Sequence, residues 1–349
     1  MTAPARLLSL ACASPPYEFL QAEVGLQARR LFGPKFRDFE RLYPVFRNTG
    51  IQRRQGVMPI EWYFEDRTWP ERTAAYLETA VDLFCDAARG ALDRAGLTGA
   101  DVDTVVTVSS TGIATPSLEA RAMGRLGFRS DAARVPVFGL GCAGGTTGLS
   151  LAARLARAEP GATVLFVCVE LCTLAFRLDN PSKADIVATA LFGDGAAACV
   201  LRAGEAGFAE VAGTAEHTWP DTLDIMGWRV DPMGFGVIFA QSIPPFARRE
   251  VRPAMEKMLA AQNLTLGQVD RFLCHPGGVK VIEALETSLD LGQGALDLER
   301  EVLADHGNMS APTALFVLDR ARRRGLPHRS VLTALGPGFT ASTVTLLAA

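Results

Sequence analysis

A chain of 349 residues that is 48% hydrophobic and 21% charged has the apolar length to bury a large core, which excludes a disordered or low-complexity protein. Its formal net charge of −3 excludes the basic footprint of a nucleic-acid binder. Cys12, Cys85, Cys142, Cys168, Cys172, Cys199 and Cys274 show no paired spacing and the four histidines form no cluster, so reduced thiols in a cytoplasmic protein, and no metal site, are expected.

Near Met1 no charged n-region precedes an apolar core, and the longest apolar run, 162–176, is interrupted by Glu170. Neither a secretory signal nor a transmembrane segment is expected. In chain order, 7–11 reads as an apolar strand and 18–32 has helical spacing. The stretch 37–54 is mixed and basic, with Arg41, Arg47, Arg53 and Arg54, suited to a solvated face or to the phosphates of a nucleotide-bearing substrate. A long amphipathic helix fills 71–96 and is closed by Gly96. Residues 104–109 form a strand, followed by a Ser110-Thr111-Gly112 turn and a helix from Ser117.

The stretch 135–138 reads as a buried strand that breaks at Gly139 and Gly141, presents Cys142, and continues into a helix over 143–157. A fully apolar strand at 163–169 follows, then a polar turn at 178–182, an apolar segment at 186–192, and Gly193-Asp194-Gly195 turning into a strand at 196–201. The polar junction 202–207 predicts a boundary between a first half, 1–201, and a second, 202–349. The second half offers a strand at 211–214, an irregular loop at 219–236, a helix at 244–262 and a strand at 269–274 that ends on His275. Helices at 278–289 and 312–324 follow, then strands at 331–335 and 342–347 joined through Gly336-Pro337-Gly338. Strands alternating with helices indicate an α/β fold. Each half carries a reactive residue on a strand–turn–helix, which points to two duplicated halves, although no sequence repeat is visible.

Three residues form a chemical set. Cys142 sits on a strand-to-helix turn, where backbone N–H groups and the helix dipole favour a thiolate, and its flanking glycines leave room for a substrate. His275 stands at the carboxyl end of a strand, where α/β sheets place their sites. Asn308, in Gly307-Asn308-Met309-Ser310, reads alone as a helix cap. Together they supply a nucleophile, a base and an amide donor able to share a developing oxyanion.

Leu-Gly-Cys-Ala-Gly-Gly at 140–145, Ala-Leu-Phe-Gly-Asp-Gly-Ala-Ala-Ala at 190–198, His-Pro-Gly-Gly at 275–278 and Gly-Asn-Met-Ser at 307–310 resemble the type III polyketide synthases, the chalcone-synthase-like enzymes. Leu335-Gly336-Pro337-Gly338-Phe339 is similar to that family's C-terminal glycine-rich loop, with Leu335 where plant members carry Phe. Before residue 100 the resemblance is looser. It implies a thiolase-like αβαβα fold, a homodimer, and acyl transfer without a cofactor, with malonyl-CoA and an acyl-CoA as substrates. By resemblance, Cys142 accepts the acyl group. His275 and Asn308 hold the malonyl thioester carbonyl and the enolate left by CO₂, and His275 keeps Cys142 ionised as an ion pair. Ketoacyl synthases that start fatty-acid synthesis share the fold and triad, but their His and Asn motifs differ. The intact triad argues against a non-catalytic acyl-binding protein.

The same resemblance implies the substrate residues. Phe192 matches a gating phenylalanine, while the second gate aligns near Val237, with Phe235 and Phe239 close by. Cys172, Ala175, Ser110, Thr111, Trp228 and Gly338 are expected along the cavity; Ala175 replaces a Thr of plant members and Trp228 a Gly. Of the three basic CoA contacts, Arg41 fits, but Pro44 and Asn48 occupy the other two positions. The stretches around Cys142 and 171–176, with Asn-Pro-Ser-Lys-Ala-Asp at 180–185, look most like bacterial members that take long fatty acyl starters, from CoA or an acyl carrier protein, and make alkylresorcinols or alkylpyrones. Synthesis of tetrahydroxynaphthalene from malonyl units alone, or of an aromatic-starter product, is the alternative.

Overall fold

The computed structural model describes residues 3–179, 181–204 and 206–349; Asn180, first in the Asn-Pro-Ser-Lys stretch, and Glu205, in the 202–207 junction, lie outside them. The strands are β1 (Ala5–Ala13), β2 (Tyr17–Leu20), β3 (Arg53–Gly56), β4 (Thr104–Val108), β5 (Ala133–Val137), β6 (Thr163–Leu171) and β7 (Asp194–Ala203). They continue with β8 (Ala209–Thr218), β9 (Met226–Asp231), β10 (Gly234–Phe239), β11 (Arg271–Cys274), β12 (Arg329–Gly336) and β13 (Thr340–Ala348). Nine of them form one sheet in the order β11-β12-β13-β8-β1-β7-β6-β4-β5. β1 meets β8 over only two residue pairs, Arg6 with Glu210 and Leu7 with Ala209.

The strand sequences dictate the layers. All nine residues of β6 are buried, as expected of a strand covered on both faces. Its alternate residues Val164, Phe166 and Cys168 join a core with the helices Gly144–Ala158 and Ala311–Arg323. Leu165, Val167 and Val169 point the other way, into a core with the helix Trp69–Ala95. The later strands repeat the pattern. Leu273, Leu332 and Val344 face the same central helices, whereas Phe272, Val331 and Ala341 face the helices Ile243–Ala260 and Val279–Ser288. The result is helix, sheet, helix pair, sheet, helix: the αβαβα arrangement that the resemblance implies. The long outer helix starts at a capping box of Thr68 and Glu71 and stops where Gly96 turns left-handed. No helix among the described residues is long and apolar enough to cross a membrane.

Several local expectations are corrected. The helix expected from residue 18 begins at Gln21, because Tyr17–Leu20 pairs with β3. β5 is not buried: it is the edge of the sheet, and Phe138 just beyond it is 55% exposed. The supposed loop 219–236 contains the hairpin β9–β10, which places Trp228 opposite Val237 and Met226 opposite Phe239; Pro232-Met233 with a left-handed Gly234 makes its turn. Asp194 already belongs to β7. A helix at Asp297–His306 escapes the periodicity because its buried face includes the charged Glu299.

Candidate active site

Cys142, His275 and Asn308 come together. Cys142 occupies the 3-10 turn Gly141–Ala143 at the start of the helix Gly144–Ala158. His275 follows β11, its backbone N–H donating to the Thr333 carbonyl (2.8 Å). Asn308 lies in the turn between two helices, bridged by backbone hydrogen bonds to Leu191 and Gly193 on either side of Phe192. All three line one cavity, with Met226, Phe239 and Leu335 around them. Glycines next to Cys142 serve the protein's own packing. A Cβ at Gly145 would sit 2.2 Å from the Ala311 carbonyl oxygen, and one at Gly141, itself left-handed, 2.7 Å from Pro337.

Polarity in this cavity is unevenly satisfied. The Asn308 carbonyl oxygen accepts from the Ser310 N–H (2.8 Å) and its Nδ2 donates to the Gly277 carbonyl (3.3 Å), which fixes the amide. His275 is 4% exposed, yet neither ring nitrogen has a hydrogen-bond partner among the described residues. Burial alone pulls its pKa down to about 4. Burial pushes the Cys142 thiol up to about 12, against hydrogen bonds from the Ser310 and Asn308 side chains. Desolvation thus disfavours the charged form of each group. Chemically, the cavity offers a thiol, an imidazole able to take its proton, and N–H donors on His275 and Asn308, the Asn308 amide resting against the thiol.

Phe192 marks the border of a second, smaller cavity, shared with Cys172, Ala175, Phe176, Trp228 and Val237. Its ring meets Phe239 edge to face, centroids 5.9 Å apart. Since Phe239 lines the Cys142 cavity, the aromatic partner of Phe192 comes from Phe239 and not from Val237. Trp228 donates its indole N–H to the Ser110 carbonyl (2.7 Å) and stacks on Phe235.

Four expected residues sit elsewhere. Ser110 lines neither cavity: its hydroxyl accepts from the Gly139 and Gly141 N–H groups and props the Cys142 turn. Thr111 is tied to Glu170 and borders a separate pocket with Trp69, Tyr76 and Phe235. Gly338 packs toward Thr340, and its loop reaches the site through Leu335 and Pro337 instead. Arg41 is exposed at the end of the Phe39–Leu42 helix and touches neither cavity. The nearby Gly50 abuts Val279, at the start of the helix that leaves His275.

The sequence reading missed the buried charges behind the site. Arg54, read there as part of a solvated run, is 1% exposed. It donates to the Phe192 carbonyl and to Gln21 Oε1, both at 2.7 Å. Glu170, fully buried in β6, accepts from the Ser110 N–H and the Thr111 hydroxyl, and burial raises its pKa to about 8. The signal was its place in an otherwise apolar strand. A carboxyl that titrates near 4.5 unfolded and near 8 folded stabilises the fold at low pH and loses that contribution as pH rises between the two. The melting temperature of Glu170→Gln relative to wild type is therefore expected to climb from pH 5 to about 8.5. A pH-independent difference in calorimetry would reject a buried neutral carboxyl at this position.

Comparison with known proteins places this geometry. Residues 64–205 match the N-terminal domain of chalcone and stilbene synthases and residues 210–348 match the C-terminal domain. The chain is 40% identical over 342 residues to a 1,3,6,8-tetrahydroxynaphthalene synthase of Streptomyces peucetius subsp. caesius, covering 96% of this chain and 90% of that protein. It is 36% identical over 350 residues to a putative chalcone synthase of Bacillus subtilis, covering 96% of each. In three dimensions it is similar to the crystal structure of 1,3,6,8-tetrahydroxynaphthalene synthase from Streptomyces coelicolor A3(2), with a TM-score of 0.93 at 26% identity over 98% of this chain and 99% of that one.

Proposed function

The chain belongs to the chalcone and stilbene synthase family, the type III polyketide synthases, which are acyltransferases, and from that premise we propose that Cys142, His275 and Asn308 carry its decarboxylative condensation. The observation behind this assignment is the pair of unpartnered His275 nitrogens beside a fixed Asn308 amide and a thiol in one cavity. His275 takes the Cys142 proton as the sulfur attacks the starter thioester. The carbon–sulfur bond to CoA breaks, and the CoA thiolate leaves with that proton. Malonyl-CoA then loses CO₂, and the electron pair of the broken carbon–carbon bond becomes an enolate whose oxygen receives N–H bonds from His275 and Asn308. The enolate carbon attacks the acyl carbonyl on Cys142, a carbon–carbon bond forms, and the Cys142 thiolate departs. These steps draw on side-chain donors alone.

The starter is a long fatty acyl thioester, extended by malonyl-CoA and cyclised to an alkylresorcinol or alkylpyrone. Small residues support this reading: Cys172, Ala175 and Ala188 stand on the wall beyond Phe192. The protein works as a homodimer, which the exposed Phe138 and Ile113 next to edge strand β5 support. A second reading, synthesis of tetrahydroxynaphthalene from malonyl-CoA only, draws support from the name of the relative that is 40% identical. Mass spectrometry of products from purified protein, malonyl-CoA and acyl-CoAs of two to about twenty carbons decides between them, because each buried methylene adds about 0.8 kcal/mol to selection. Resorcinols or pyrones that form mainly from long chains are expected. A single naphthalene product made without added starter would replace this reading with the second.

A further inference from the structure

His275 and Asn308 are delivered by different elements, and one buried carboxylate joins those elements. β11, which ends at His275, is the outer strand of the main sheet and pairs with β12 alone. The His275 N–H points inward, to the Thr333 carbonyl, so the preceding N–H, that of Cys274, points to the open side. Glu299 receives it there. Its Oε1 accepts from the Cys274 N–H at 3.0 Å, and its Oε2 pairs with Arg271, on the same strand, at 2.9 Å. Glu299 is 0% exposed. It stands on the helix Asp297–His306, which leads through Gly307 directly to Asn308. We propose that Glu299 is a positioning residue: by clamping the Cys274 N–H it sets His275 against Asn308 and keeps both donors on one substrate oxygen. The proposal rests on the donor assignment of His275 and Asn308 and deepens it.

The rest of the frame leaves this task to Glu299. Asn308 is fixed from its other side, its N–H donating to the Leu191 carbonyl at 2.9 Å and its backbone carbonyl accepting from the Gly193 N–H at 3.0 Å. The chain after His275 is tied only near the far end of the helix Val279–Ser288, where Glu286 forks with Arg300 at 2.7 and 2.6 Å and accepts from the Leu296 N–H. Glu299 meets the chain at the residue adjacent to His275. It lines no part of the Cys142 cavity, so it acts through the backbone. Packing does not call for a carboxyl at this place: Val302 and Leu303 on the same helix are core residues. Burial raises the Glu299 pKa to about 7, against Arg271 and the Cys274 N–H, which lower it. An apolar side chain would suit this wall better if filling it were the only requirement.

Four variants test this by release of radiolabelled CO₂ from malonyl-CoA, with Tm measured beside it. Glu299→Leu removes the acceptor. Its kcat is expected to fall at least about tenfold, since a misplacement of about 1 Å can cost about 100-fold. KM should change little, because the donors favour the enolate over the thioester. Glu299→Gln keeps a carbonyl oxygen for the Cys274 N–H and should restore most of kcat. Arg271→Met breaks the ion pair but leaves Oε1 in place, so it should lower Tm and leave kcat unchanged. Wild-type kcat from folded Glu299→Leu would overturn the proposal. So would a Glu299→Gln as slow as Glu299→Leu, or an equal loss of kcat from Arg271→Met, which would trace the effect to the ion pair. Should Glu299→Leu not fold, Glu299→Asp replaces it: one methylene shorter, it keeps a carboxylate for Arg271 and draws back from Cys274, and full kcat from it would overturn the proposal equally. Asn308→Ala, run alongside, separates the two readings. Undiminished CO₂ release from it removes the donor assignment, and this proposal with it, whereas a loss there with none in Glu299→Leu removes this proposal alone.

Discussion

Cys142→Ala abolishes polyketide formation, by at least about 10⁴-fold, the scale on which loss of an attacking nucleophile is measured, yet it leaves release of CO₂ from malonyl-CoA detectable. The separation follows from how the cavity is built. Decarboxylation needs only donors at the thioester oxygen. Those donors are held without help from Cys142: the Asn308 amide by Ser310 and Gly277, the His275 backbone by Thr333. Condensation needs an acyl group parked on sulfur. Asn308→Ala removes an oxyanion donor instead, so it is expected to depress CO₂ release and product formation together, by about 10²–10³-fold. Paired assays of radiolabelled CO₂ and of product by mass spectrometry distinguish the two variants. Product from folded Cys142→Ala would overturn the nucleophile assignment, and undiminished CO₂ release from Asn308→Ala would overturn the donor assignment.

The three residues that meet in one cavity were legible because their sequence signals are local. A cysteine between a strand and a helix, a histidine at a strand's carboxyl end and an asparagine before a helix are each visible within a dozen residues. So were the strands of the main sheet, whose apolar runs report burial on both faces. Side-chain direction was not. Ser110 and Gly338 stand close to the site in the chain, but one hydroxyl turns back to Gly139 and Gly141 and the other residue packs on Thr340. The hairpin β9–β10 went unseen because Trp, Met and Gly in 219–236 imitate a loop; its strands are recognised only when paired, Trp228 to Val237. That pairing sets which aromatic residue confronts Phe192. Nor was the packing role of the glycines beside Cys142, which admit the helix Ala311–Arg323. Arg54 was hidden for a different reason. A run of arginines implies solvent, and the partners that bury this one are 33 and 138 residues away in the chain.

That arginine carries the largest expected effect on stability. Arg54→Met should destabilise the fold by about 3–5 kcal/mol, the range for removing one member of a buried charged network. Three losses combine. The Phe192 carbonyl and Gln21 Oε1 each give up a 2.7 Å charge-assisted hydrogen bond. Gln21 otherwise ties the helix Gln21–Phe32 to Phe46, Thr49 and Ala190, so its disorder spreads to that helix. Asp194, fully buried with a pKa raised to about 7 by desolvation, loses the positive charge that opposes that rise. The last point gives the effect a pH signature. A raised carboxyl pKa stabilises below its unfolded value of 3.8 and forfeits that contribution as pH climbs to the folded value. In wild type the forfeit is complete near pH 7; without Arg54 the folded pKa is higher, so the loss continues beyond it. Urea unfolding should thus find a deficit that is constant at and below about pH 6.5 and grows toward pH 8.5. A deficit that is flat across this range would mean that Arg54 acts through its hydrogen bonds alone and that Asp194 does not sense it. Arg54→Lys keeps the charge but cannot fork to both oxygens, so it should restore the pH-independence and only part of the stability.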